Sequence, residues 1–156
     1  MIRVLLVEDD PHKEKGLRDA MAEILHEVDV VLVVSVQTAV AAVRSSVFDL
    51  VLLDMALPSH DRTLGIGNPR QMPSGGLEIL LNLNEKRRRD PVIVVTQYPE
   101  IEINGQLIPI EQVPFILPKI VDIELHGIVQ YDEFAPEWRT TFQKIVRECF
   151  DQHPNH

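Results

Sequence analysis

The residues best suited to chemistry in this chain are polar groups that follow short apolar runs. Glu8, Asp9 and Asp10 come directly after Arg3-Val4-Leu5-Leu6-Val7, Asp54 follows Phe48-Asp49-Leu50-Val51-Leu52-Leu53, and Thr96 closes Pro91-Val92-Ile93-Val94-Val95. An aliphatic, β-branched run that stops abruptly at polar residues reads as a buried parallel strand. In parallel α/β sheets the ligand site lies beyond the carboxyl ends of the strands, so these groups gather at one edge. Neighbouring strands are ~4.8 Å apart, which brings carboxylates at the tips of the first and third strands within metal-bridging range. Carboxylates so close must hold a proton or recruit a cation. An all-oxygen ligand set favours Mg²⁺ or Mn²⁺, held by one or two carboxylates together with waters and a substrate phosphate.

The elements that must position these groups alternate along the chain. Between His12 and Val28, Leu17, Met21, Ile24, Leu25 and Val28 fall on one face of a predicted helix. Val30 to Val34 reads as the second strand. A second helix is predicted over Gln37 to Ser45, with Val36, Val40 and Val43 facing inward, and the third strand ends at Asp54. The polar, Gly- and Pro-containing stretch from Ser59 to Ser74 exceeds the usual loop of such units and reads as an insertion. Gly75 and Gly76 open a third helix carrying Leu77, Leu80, Leu81 and Leu83, and Pro91 to Thr96 forms the fourth strand. Ile101 to Ile108 alternates around Asn104-Gly105, the signature of a β-hairpin.

The fifth strand has two candidates, Pro114 to Lys119 and Gly127 to Tyr131. A parallel crossover takes a dozen or more residues, and only Ile120 to His126 separates the two, so Gly127 to Tyr131 is favoured. Glu111 to Glu124 is then a helix that starts late or is kinked at Pro114 and Pro118. Trp138, Phe142, Ile145, Val146, Cys149 and Phe150 mark one face of the last helix, after Pro136 and Glu137 at its start. This β/α alternation implies an α/β fold, a doubly wound sandwich around a five-stranded parallel sheet. It forms one domain over residues 1–150, followed by a short tail, residues 151–156.

Composition narrows the function. At 156 residues and 45% hydrophobic the chain can bury a substantial core. No apolar run approaches the ~20 residues of a membrane span, and Arg3 and Glu8 to Asp10 break up the first apolar stretch before it could act as a signal peptide. A cytoplasmic location without membrane attachment is expected. The single cysteine, Cys149, excludes an internal disulfide or a cysteine-built metal site and reads as an apolar helix position. A net charge of −9 opposes nucleic-acid binding. Lys86 to Arg89 reads as a solvated helix end, where cations complement the helix dipole. Gly65-Ile66-Gly67 reads as a flexible loop, Arg62 and Arg70 as solvated loop charges, and His126 as a turn residue. His12, His26, His60, His126, His153 and His156 show no metal-ligand spacing. Trp138 and Tyr98 read as packing or surface aromatics.

Three strand-anchored motifs resemble the response regulator receiver domains of bacterial two-component systems and phosphorelays: Leu5-Leu6-Val7-Glu8-Asp9-Asp10-Pro11, Asp49-Leu50-Val51-Leu52-Leu53-Asp54-Met55-Ala56-Leu57-Pro58, and Val92-Ile93-Val94-Val95-Thr96. The resemblance implies a flavodoxin-like strand order, 2-1-3-4-5. It makes Asp54 the phosphoacceptor and Thr96 the switch hydroxyl. Glu8, Asp9, Asp54 and the Ala56 carbonyl would hold Mg²⁺ (or Mn²⁺), with Asp10 at a less constrained third position. The implied phosphodonor is a histidine kinase or histidine phosphotransfer protein. Output would be contact with a downstream protein target, with no enzymatic activity beyond self-phosphotransfer and autodephosphorylation. The family also ends strand five with a lysine that contacts the phosphoryl group. Here Gln130, Tyr131 and Asp132 occupy that region, and Lys119 serves only if it reaches the pocket from outside the strand. Two other readings are a pseudo-receiver interaction module with a vestigial pocket and a metal-dependent phosphoesterase or nuclease. The missing second acid in Asp54-Met55-Ala56 counts against the last.

Overall fold

A computed structural model of the chain describes residues 1–61 and 71–151. Its elements in chain order are β1 (Ile2–Val7), α1 (Pro11–Ala22), β2 (Val28–Val33), α2 (Val36–Ser45), β3 (Leu50–Leu53), β4 (Leu57–Pro58), β5 (Gln71–Met72), α3 (Gly75–Glu85), β6 (Pro91–Thr96), β7 (Glu100–Ile103), β8 (Gln106–Pro109), α4 (Val113–Ile116), β9 (Glu124–Gln130) and α5 (Glu137–Asp151). A five-stranded sheet has the order β2-β1-β3-β6-β9, with every neighbouring pair parallel. This is the flavodoxin-like order expected from the motifs.

Both faces of the sheet are covered, which is why its central strands are apolar throughout. Val4 and Leu6 pack with Leu17, Met21, Phe142 and Val146 of α1 and α5. Leu5 and Val7 face the other way, toward Val43, Leu80 and Val113 of α2, α3 and α4. Alternate residues of one strand thus supply two cores. In register, Val7 lies beside Leu53, Leu53 beside Val94 and Thr96 beside Gln130, so the strand tips form one continuous edge.

Several boundaries differ from the sequence reading. The first helix ends at Ala22: the Ile24 amide donates to the Met21 carbonyl, only three residues back, and Glu27 then turns the chain with a φ of 51°. Val28 is therefore free to open β2 opposite Ile2. The fifth strand is β9, which contains most of the favoured segment but begins at Glu124. His126 is the extra residue of a bulge in β9, since Val92 pairs with Leu125 and Ile93 with Gly127; it is not in a turn. The helix expected over Glu111 to Glu124 shrinks to the single turn of α4 and a 3₁₀ turn at Leu117–Lys119. Pro118, lacking an amide hydrogen, cannot continue an α-helical ladder.

The hairpin expected at Asn104-Gly105 is β7 and β8, with both turn residues at positive φ, as a type I′ turn requires. The Ser59–Ser74 insertion is bounded by a small ribbon in which Leu57 pairs with Met72. Arg62, Gly65 to Gly67, Arg70, His153 and His156 lie outside the described residues.

Candidate functional site

The site is built where β1, β3 and β6 end. The Glu8 amide donates to the Val33 carbonyl (3.0 Å) and the Asp54 amide to the Val7 carbonyl (3.2 Å), so both acids sit on the last ladder positions of their strands. Glu8 and Asp54 are buried, whereas Asp9 is exposed. One carboxylate oxygen from each of the three lies within 4.8 Å of the others. Ala56, whose carbonyl the motif implies as a ligand, donates its amide to Asp54 Oδ1 at 3.2 Å. Thr96 is buried at the tip of β6, and its hydroxyl oxygen accepts the Tyr98 amide at 3.1 Å.

Two local devices hold these residues. Gly76 lets the start of α3 press on the segment after Asp54. A Cβ there would lie 2.7 Å from Met55 Cα and 2.8 Å from the Asp54 carbonyl oxygen, closer than any other residue allows. Asp10 does not join the acid cluster; its carboxylate caps α1 by accepting the His12 and Lys13 amides, and Pro11 takes the first helical position.

That cap aims a residue the sequence reading missed. Lys13 is wholly buried, with Nζ 2.7 Å from Glu8 Oε1, 3.2 Å from Asp54 Oδ2 and 2.7 Å from the Val95 carbonyl oxygen. A signal for it existed. Lys13 lies one turn before Leu17 and two before Met21, so it extends the apolar stripe of the first helix back by one turn. A lysine on a buried stripe requires anionic partners.

Lys119 does not come to the pocket. It is exposed at the end of the 3₁₀ turn that leads, through Asp122, to the start of β9. The Asp122 amide donates to Asn84 Oδ1 near the end of α3, and Glu124 pairs with Pro91, which places this stretch toward the edge of the sheet opposite Asp54.

Burial raises the Glu8 carboxyl to about 7, against the lowering pull of Lys13. Burial also raises Asp54, again opposed by Lys13, and it raises Asp9, reinforced by the neighbouring Asp54 charge. With all three carboxylates ionised against one ammonium the cluster carries two net negative charges, which is the deficit a divalent cation neutralises. Because Asp9 is exposed and all the donors are oxygens, the cluster fits Mg²⁺ or Mn²⁺ with part of its water shell retained. Beside Thr96 a groove of about 410 Å³ opens between the β4–β5 ribbon and the hairpin, lined by Met55, Ala56, Gln71, Tyr98, Ile101 and Leu107 among others.

A doubly wound parallel sheet with acids clustered at its carboxyl edge defines an α/β module of the receiver class. The response regulator receiver domain matches residues 4–130, and the chain belongs to that family. It is similar to the Detocs response regulatory protein DtcB of Vibrio alginolyticus, with 37% identity over 111 residues, 70% of this chain and 74% of the relative. It is also similar to the protein of that name from Enterobacter cloacae (strain JD6301), with 27% identity over 149 residues, 94% of this chain and 99% of the relative. Among solved structures, the Mn²⁺-bound form of response regulator Rcp1 shares the fold at a TM-score of 0.62 and 17% identity, covering 93% of this chain and 91% of the other. The chain is therefore the receiver of a two-component signalling system, a signalling module and not an enzyme of the usual kind.

Proposed function

We propose that this receiver accepts a phosphoryl group on Asp54 from a phosphohistidine of a kinase or phosphotransfer protein, in a Mg²⁺-dependent reaction, and signals through contact with a downstream protein. The observation that carries this reading is the convergence of Glu8, Asp9 and Asp54 within 4.8 Å at the strand tips. An Asp54 oxygen attacks the phosphorus of a phosphohistidine whose other ring nitrogen is protonated, the donor's P–N bond breaks, and the bonding electrons return to the imidazole nitrogen, leaving an aspartyl phosphate and a neutral histidine. Bound by Glu8, Asp9, Asp54 and the Ala56 carbonyl, the metal would offset charge on the transferring group. The chain's own contribution is positioning: Asp54 is held by the Val7 carbonyl and the Ala56 amide, and Thr96 supplies a hydroxyl at the neighbouring strand tip.

The names of the two relatives support a role as the response regulatory component of a Detocs-type system, and the Mn²⁺-bound Rcp1 structure supports the metal. The test is intact-mass analysis after phosphoramidate or acetyl phosphate with Mg²⁺. A single hydroxylamine-labile phosphoryl group is expected, absent in Asp54→Asn. A phosphoryl group mapped to histidine, or retained in Asp54→Asn, would overturn the assignment.

A further inference from the structure

We infer that Lys13, delivered by the first turn of α1, is the cation that contacts the phosphoryl group on Asp54, so that the pocket works without a lysine at the end of the fifth strand. The inference rests on the Asp54 reading and adds to it the group that completes the site.

The end of β9 offers no cation. Gln130 and Tyr131 lie at the strand tip and are followed by Asp132 and Glu133, so an incoming phosphoryl group would meet acids on that side. Lys13 answers this from the other side of the pocket. Its three N–H bonds have three acceptors at hydrogen-bond distance: Glu8 Oε1, Asp54 Oδ2 and the Val95 carbonyl oxygen. Together they fix Nζ among the tips of β1, β3 and β6. The 3.2 Å contact to Asp54 is longer than the 2.7 Å contacts to Glu8 and Val95. A phosphoryl oxygen attached to Asp54 can therefore take over that N–H while the other two keep the ammonium in place.

The helix that carries Lys13 is seated for this purpose. Asp10 caps its first turn, and Gly16, one turn further on, faces Tyr131 closely enough that a Cβ would lie 3.3 Å from the ring. Burying an ammonium completely is costly without close counter-charges, and two carboxylates here meet that need. As the transferring group gains contact with Asp54, a charge already in place stabilises it without reorganisation.

The test uses the full chain with phosphoramidate and Mg²⁺, following Asp54 phosphorylation by intact mass. Lys13→Met is expected to react roughly 10- to 100-fold more slowly than wild type, as loss of one charge-assisted hydrogen bond in the transition state implies. Lys119→Ala is expected to react at the wild-type rate. If Lys13→Met fails to fold by circular dichroism, Lys13→Gln, which keeps a hydrogen-bond donor without the charge, carries the same measurement. In Lys13→Ala, n-propylammonium, which replaces the missing atoms, is expected to restore part of the rate, and the neutral n-propanol is not. A wild-type rate in Lys13→Met, or equal rescue by the alcohol, would refute a role for the Lys13 charge. Absence of any acyl phosphate in the wild type would instead bring down the Asp54 reading itself.

Discussion

Two buried charge clusters lie at opposite edges of the sheet, and they use similar groups to opposite ends. At the amino edge Arg88 meets Asp90 through two bonds of 2.7 Å, and the same guanidinium donates to the carbonyls of Val43 and Ser46. Asp90 also accepts the Phe48 amide at 2.8 Å. One carboxylate is matched to one fork-shaped cation, with backbone carbonyls completing the cation's needs, so the cluster is closed and ties α2, the approach to β3 and the start of β6 together. The Asp90 carboxylate raises the Arg88 guanidinium above its ordinary range. At the carboxyl edge one compact ammonium faces Glu8 and Asp54, with exposed Asp9 beside them. Charge there is unbalanced, and burial holds the acids above their usual range. A balanced pair locks structure, whereas an unbalanced one with an opening to solvent leaves a charge deficit for the proposed metal to fill.

The largest effect that would sharpen this contrast is on stability. Arg88→Ala leaves the Asp90 carboxylate buried without its cation and is expected to cost roughly 3–5 kcal/mol in urea unfolding. The protein that remains folded should still be phosphorylated on Asp54 at the wild-type rate. A normal unfolding midpoint, or a lost reaction in folded protein, would break the division between the two edges.

Next is the metal. Asp9→Ala is expected to weaken Mg²⁺ binding, followed by Trp138 fluorescence or NMR, beyond the roughly 10- to 100-fold that loss of a supporting group costs. Its fold should be intact, because Asp9 is exposed. Wild-type affinity in both Asp9→Ala and Asp54→Ala would remove the proposed metal site.

The smallest effect is on pH. In EDTA, folded Glu8 titrates near 7 instead of its ordinary 4.5, so the folded chain holds a proton that the unfolded chain has released. This contribution to stability is full below about 4.5 and is lost as pH rises through about 7, with a slope of at most ~1.4 kcal/mol per pH unit. Glu8→Gln should flatten the slope in that window. An unchanged slope in Glu8→Gln would show that the carboxyl-edge pair does not carry it.

The contrast was only partly legible in the sequence. Glu8, Asp9, Asp54 and Thr96 each follow a continuous apolar run, and that local pattern is enough to place them at strand tips. Lys86 to Arg89 reads in sequence as a solvated helix end, yet Arg88 is drawn inward because Asp90 is buried just before β6 and the carbonyls of Val43 and Ser46 lie within its reach. Those partners are 42 to 45 positions away in the chain, and no local periodicity carries that information.

By itself the sequence determined the β/α alternation, the Asn104-Gly105 hairpin, the strand-tip acids and the choice of the Gly127 to Tyr131 segment, of which Gly127 to Gln130 lie in β9, over Pro114 to Lys119 for the fifth strand. Each follows from short-range rules of periodicity, turn geometry and crossover length. Tertiary structure alone decided which cation enters the pocket. Lys13 reaches Asp54 across 41 positions and the Val95 carbonyl across 82, while Lys119 is left exposed by the brief crossover before β9. A buried charge goes where acceptors converge in space, and that convergence exists only once strands from distant parts of the chain lie side by side.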